Sequence, residues 1–144
     1  MRRAMVGQPV TLVARITDDD LPRFRPRTAR PPGDGPPKLS AMQLRPPIRF
    51  TVAKVNGLHL SWFVFRGEGE VGFDPPQIKT WEDTRTGANS PWSPLFSMPA
   101  PPEDGEWTIQ VTFDQPGTYM LRGRADDGGL LDDTDVTIIV TPIA

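Results

Sequence analysis

Trp107-Thr108-Ile109-Gln110-Val111-Thr112-Phe113-Asp114-Gln115-Pro116-Gly117-Thr118-Tyr119-Met120-Leu121-Arg122-Gly123-Arg124-Ala125 is the stretch on which the fold turns. Trp107, Ile109, Val111 and Phe113 alternate with Thr108, Gln110 and Thr112, the two-residue period of a strand with one buried face. Gln115-Pro116-Gly117 turns the chain, since proline fixes φ and glycine tolerates what a tight turn demands. Tyr119, Leu121, Gly123 and Ala125 then continue the inward set, with Met120, Arg122 and Arg124 outward. Asp126-Asp127-Gly128-Gly129 is a second turn, and Val136, Ile138 and Val140 mark a last strand.

Outward from this stretch the same period recurs. Val10, Leu12, Ala14 and Ile16 alternate with Thr11, Val13 and Arg15 until Asp18-Asp19-Asp20 stops the strand. Ile48–Val55 and Leu58–Phe65 read as two β-rich runs around Asn56-Gly57, a pair suited to a tight hairpin turn. Trp62, on the second run, is expected in the core between sheets. Residues 67–102 are rich in loops, with room for short edge strands. Six or so strands and no amphipathic helix predict an all-β fold of two antiparallel sheets packed face to face.

The chain has 144 residues, enough for one domain (1–144) with a core of its own. Eighteen prolines and thirteen glycines disfavour long helices. With no cysteine, disulfides, thiolate metal sites and cysteine nucleophiles are excluded. The longest apolar run, Leu58–Phe65, is too short to span a bilayer, so no transmembrane segment is expected, and Met1–Val6 lacks the apolar region of a signal peptide. The net charge of −2 conceals an asymmetry. Residues 21–47 form a proline-rich insert in which Arg23, Arg25, Arg27, Arg30, Lys38 and Arg45 face Asp34 alone. Residues 99–144 hold Glu103, Asp104, Glu106, Asp114, Asp126, Asp127, Asp132, Asp133 and Asp135 against Arg122 and Arg124.

The segment Phe113–Arg122, followed by Ala125-Asp126-Asp127-Gly128 and the strand Val136–Val140, resembles the end of bacterial polycystic-kidney-disease-like (PKD-like) and other immunoglobulin-like surface domains. Gly7–Asp18 resembles their early strand and Leu58–Phe65 their central tryptophan strand. The likeness spans about half of the chain, with Pro116-Gly117-Thr118-Tyr119 its most specific part. It implies an immunoglobulin-like antiparallel β-sandwich with long Pro-rich insertions. It also implies that Tyr119 is a corner tyrosine whose hydroxyl bonds to nearby backbone. Leu12 and Leu121 stand where disulfide-bonded relatives of the wider group carry cysteines, so packing alone must join the sheets. The insert at 21–47 and the tryptophan-bearing loops depart from the common pattern and are expected to carry individual function.

Few residues assemble chemistry. Gly67-Glu68-Gly69-Glu70-Val71-Gly72 spells a dinucleotide fingerprint, but Phe73-Asp74-Pro75-Pro76 offers no helix N-terminus, so a glycine-rich turn is the better reading. The single histidine, His59, sits in an apolar run and reads as structural, leaving triads and histidine-rich zinc sites without their parts. The aspartates fall at turns, where they bond local backbone, which disfavours glycosidase-like carboxylate pairs. The chain is therefore expected to be no enzyme and to need no cofactor, calcium being the one metal whose ligands the sequence supplies. Asp18, Asp20, Asp126 and Asp127 are expected at one pole of the sandwich, where carboxylate oxygens suit a hard cation. Nucleic acid is disfavoured as a partner by the pI near 5.3 and the acidic second half.

Together these residues predict a non-catalytic protein–protein interaction or scaffold module, an accessory or stabilising subunit of a larger, multi-subunit envelope assembly. The expected partners are other protein subunits, contacted through Arg23, Phe24, Arg25, Arg27, Arg30, Trp81, Trp92 and Phe96, in an assembly that would be peripheral to a membrane complex. The implied location is periplasmic or extracellular. The alternative is a carbohydrate-binding sandwich that stacks Trp81 and Trp92 on sugar rings.

Overall fold

The computed structural model describes residues 1–23, 57–78, 85–87, 96 and 98–143. The described residues form seven strands and no helix: β1 (Arg2–Met5), β2 (Val10–Arg15), β3 (His59–Arg66), β4 (Val71–Asp74), β5 (Glu106–Phe113), β6 (Gly117–Asp126) and β7 (Leu131–Thr141). They make a four-stranded sheet in the order β1-β7-β6-β3 and a three-stranded sheet in the order β2-β5-β4, packed together as a sandwich. All pairings are antiparallel except β1 on β7, which is parallel, Arg2 facing Ile138 and Met5 facing Thr141.

The alternation read in the sequence is the alternation of burial. Leu12 on β2, Ile109, Val111 and Phe113 on β5, Tyr119 and Leu121 on β6, and Ile138 and Val140 on β7 form the core with Leu60 and Trp62 of β3. Burying an aliphatic or aromatic side chain of this kind stabilises by about 1.5–3 kcal/mol each. Leu12 and Leu121, 2% and 0% exposed, join the two sheets by packing where a disulfide has no cysteines to form. Trp62 lies flat over the backbone of Gly123, where any Cβ would stand 3.0 Å from its Cζ2 and Cη2.

The turn Gln115–Gly117 ends in the corner expected of Tyr119. Its hydroxyl donates to Gln115 O at 2.9 Å, and its ring packs 4.7 Å from that of Phe113. The glycines of the fingerprint-like segment have their explanation here. The segment joins β3 to β4, no helix follows it, and the Tyr119 ring lies on its backbone. A Cβ at Gly67 would overlap the ring edge, 3.0 Å from Cε1, and one at Gly69 would overlap the hydroxyl. Close approach, not phosphate, is what these glycines serve.

Two differences from the sequence reading concern β1 and the bounds of β3. β1 is an additional strand whose four residues are too few to show a period. Its chain leaves one sheet for the other in a single step, Val6 N donating to Thr141 O at 3.0 Å and Gly7 N to Phe113 O at 2.9 Å. β4 is a short edge strand inside the loop-rich segment. Leu58–Phe65 does form a strand, shifted to His59–Arg66, and pairs with β6; the expected partner run Ile48–Val55 and Asn56 lie outside the described residues. Phe65, in a bulge between Val64 and Arg66, lies on the outer face by the alternation that points Trp62 and Val64 inward, and the Arg122 guanidinium covers its ring at 3.8 Å.

Candidate functional site

Among the described residues, one side of the sandwich is open. β2 is the outer strand of its sheet, and β1 covers β7 only from Ile138 to Thr141, so the first part of β7 runs past its cover. Between the run Val13–Asp19 and the start of β7 lies a cleft of about 990 Å³, floored by Leu58, Trp62, Gly123 and Ala125. Along β7 the inward-phased residues pass from buried Ile138 through half-buried Val136 to exposed Thr134 and Asp132. Along β2 and the residues that follow it, they pass from Leu12 through Ala14 and Ile16 to exposed Asp18. Both walls therefore change from apolar to acidic toward the same pole.

The turn Asp126–Gly129 forms the end of the cleft. Both aspartates are 6% exposed, a costly place for carboxylates unless hydrogen bonds replace water. Backbone N–H groups supply them: Gly128 N donates to Asp126 Oδ1 at 2.7 Å, and Gly129 N and Leu130 N each donate to Asp127 Oδ1 at 2.6 Å. Across the mouth, Leu21 N donates to Asp19 Oδ1 at 3.0 Å.

Asp18, Asp19 and Asp127 each bring a carboxylate oxygen within 4.8 Å of the others, so the early-strand end and the second turn do meet at one pole. Asp20 and Asp126 stand outside this group: Asp20 takes a left-handed backbone, φ 59°, as the chain bends away, and Asp126 caps its own turn. The three oxygens are of the type that holds a hard cation or the N–H groups of a guanidinium or ammonium. Of the other expected contact residues, Arg23 is exposed and Phe96 is half-buried with the Arg85 guanidinium 5.6 Å from its ring. Phe24, Arg25, Arg27, Arg30, Trp81 and Trp92 lie outside the described residues.

Sequence reasoning missed Asp19, Leu130, Leu131 and Asp132 as cleft residues. The signal was the phase of β7: extending Val140, Ile138 and Val136 backward reaches Thr134 and Asp132, polar residues on what should be the core face.

On the outer face of the larger sheet, two arginines of β6 pair with two aspartates of β7. Arg122 Nε and Nη2 donate to Asp135 at 2.7 and 2.8 Å, and Arg124 Nε and Nη2 to Asp133, both at 2.7 Å. The Arg124 guanidinium holds the Asp133 carboxyl below its ordinary value, and Arg122 does the same for Asp135. His59, the lone histidine, is fully buried, and its neighbour Ser61 is 1% exposed. Among the described residues no helix is long and apolar enough to cross a membrane. No protein family, curated protein or solved structure matches the chain.

Proposed function

We propose that the chain is a non-catalytic immunoglobulin-like interaction or scaffold module, an accessory subunit of a larger envelope assembly in the periplasmic or extracellular space. The observation that carries this reading is the open cleft. It is flanked by two strand edges, of β2 and of the first part of β7, that pair with no other described strand. Exposed edges are templates for another chain, and apolar lips beside them favour a macromolecule.

The immunoglobulin-like assignment draws on strand order. With β2 as the second strand, β2-β5-β4 and β7-β6-β3 follow the B-E-D and G-F-C orders of that architecture, and Tyr119 makes the corner bond two residues before Leu121. The resemblance of Phe113–Val140 to PKD-like surface domains supports the location. The non-catalytic reading draws on the burial of His59, which keeps the one imidazole from acting as a solvent-facing base.

The test is recovery of the tagged protein from native membranes and soluble fraction, followed by mass spectrometry, beside a variant lacking residues 21–47. Stoichiometric protein partners support the reading, and their loss on deletion assigns docking to the basic insert. Recovery of the protein alone from both preparations refutes it.

A further inference from the structure

Resting on the interaction reading but not on the cleft, we propose that the outer face of the larger sheet is a docking surface and that its occupant is an amphipathic helix of a partner protein, with acidic residues at both ends of its apolar face. The helix lies across Met5, Ile139, Met120 and Phe65. Its carboxylates reach Arg3 and Arg66.

Alternation places the surface. With Ala4, Ile138, Tyr119, Leu121 and Val64 turned to the core, Met5 of β1, Ile139 of β7, Met120 of β6 and Phe65 of β3 fall on the opposite face. Register sets these four on one diagonal. Met5 faces Thr141, Ile139 lies two residues back along β7, and Met120 faces Thr137, two residues further back; Phe65 stands beside Arg66, which faces Met120. Diagonal neighbours are within reach of long side chains, so each strand gives one apolar residue to a single stripe. Met5 and Phe65 at its ends are 38% and 42% exposed, and Ile139 and Met120 between them are half-buried. Farther along the same face His59 and Ser61 are buried, so the stripe is the part that stays open to a partner.

Backbone chemistry and charge select the occupant. A sheet face presents side chains and no free N–H or C=O, so an occupant must satisfy its own backbone, as a helix does and a lone strand does not. At about 4.8 Å between strands and 3.4 Å per residue, the stripe is about 20 Å long, the length of about 14 helical residues. Both of its ends are cationic. Arg3 stands two residues before Met5, and Arg66 follows Phe65 with its guanidinium 5.6 Å from that ring. Among the described residues neither forms a salt bridge, whereas Arg122 and Arg124 are held by Asp135 and Asp133. A second copy laid stripe on stripe would set arginine against arginine in either direction, which disfavours self-association. A lipid surface would meet only the protruding Met5 and Phe65, with Asp133 and Asp135 of the same face turned toward its anionic headgroups. A helix with apolar residues at every third or fourth position spans the whole stripe.

The experiment titrates the ¹⁵N-labelled full chain with a capped helical peptide of that length, leucine along one face and glutamate at both ends of it, and with the same helix carrying lysine in place of glutamate. The glutamate helix is expected to shift amides at 3–5, 65–66, 118–122 and 137–141, more strongly at low salt, and the lysine helix to leave them in place. R3Q with R66Q is expected to weaken binding about three- to tenfold. M5S with F65S is expected to abolish it at the same peptide concentrations, with amide positions elsewhere showing the fold intact. Shifts confined to another face, equal response to both helices, no response to the glutamate helix, or indifference to either double substitution each overturn the proposal. Binding to phosphatidylglycerol vesicles without response to the glutamate helix assigns the face to a membrane, and concentration-dependent shifts of these amides without peptide assign it to a second copy; both overturn it. If native partners still co-purify with the M5S/F65S chain, this surface fails alone; if no partner is ever recovered, the broader reading fails with it.

Discussion

Replacing Gly69 with alanine tests whether the glycine-rich turn exists to admit Tyr119. The new Cβ would overlap the tyrosine hydroxyl and stand 2.6 Å from Asp114 Oδ1. Asp114 is exposed and can rotate away, whereas Tyr119 is 1% exposed and held by its 2.9 Å bond to Gln115 O. The tyrosine must therefore move and lose that bond. Forcing extra volume into a packed site costs about 1–3 kcal/mol. Tyr119→Phe alone loses one hydrogen bond, about 0.5–1.5 kcal/mol. In the Gly69→Ala background, however, removing the hydroxyl also removes the main clash, so the second substitution should cost little or stabilise. The expected coupling is on the order of 1–2 kcal/mol. At roughly 2–4 °C per kcal/mol for a chain of this size, the single alanine lowers Tm by several degrees and the double variant recovers part of it. Thermal and urea unfolding of the four proteins measure the cycle. Additivity within about 0.5 kcal/mol would show that the two residues do not share the space, and the argument for the turn would fall.

Other expectations rest on separate contacts. Gly123→Ala places a Cβ 3.0 Å from two ring carbons of buried Trp62 and should cost about 1–3 kcal/mol, read as a lower urea midpoint; an unchanged midpoint contradicts the packing described. Leu121→Ala, at a residue 0% exposed, should cost about 2–5 kcal/mol by the same assay, since a cavity remains between the sheets with no disulfide to hold them. Asp133 and Asp135 are held below the ordinary carboxylate value by Arg124 and Arg122, so their contribution is present above the unfolded pKa near 4 and is lost as pH falls through the lower folded values. Asp133→Asn with Asp135→Asn should therefore flatten the fall of Tm below about pH 4, and an unaltered acid limb counts against the ion pairs.

The fold was legible where one face is buried and the other wet. β2, β5 and β6 alternate because their inner residues meet the opposite sheet, and the turns at Gln115 and Asp126 carry residues that only turns favour. β1 escaped because four residues give too little period to separate from loop, and it owes its place to backbone pairing with a distant strand; β4 was legible only as room for a short edge strand. The acidic pole was legible as a meeting of Asp18 with Asp127, but its membership depended on local backbone: Asp20 bends away, Asp126 is used by its own turn, and Asp19 takes the place beside Asp18. The cleft itself left only a faint mark, in Thr134 and Asp132 on the core phase of β7, since openness arises from where β1 stops and not from any residue in the opening.

That parallel pairing of β1 on β7 also has a consequence for the order of assembly. Arg2 is joined to the chain about 136 residues before Ile138, the residue it faces. At ribosomal rates of roughly 5–20 residues per second, β1 must wait about 7–27 seconds for a partner to exist. Every other strand of that sheet can settle against neighbours before this last hydrogen-bonded seam closes. The sheet is thus zipped by its most distant segments, and translation speed sets how long the nascent chain carries its open edge.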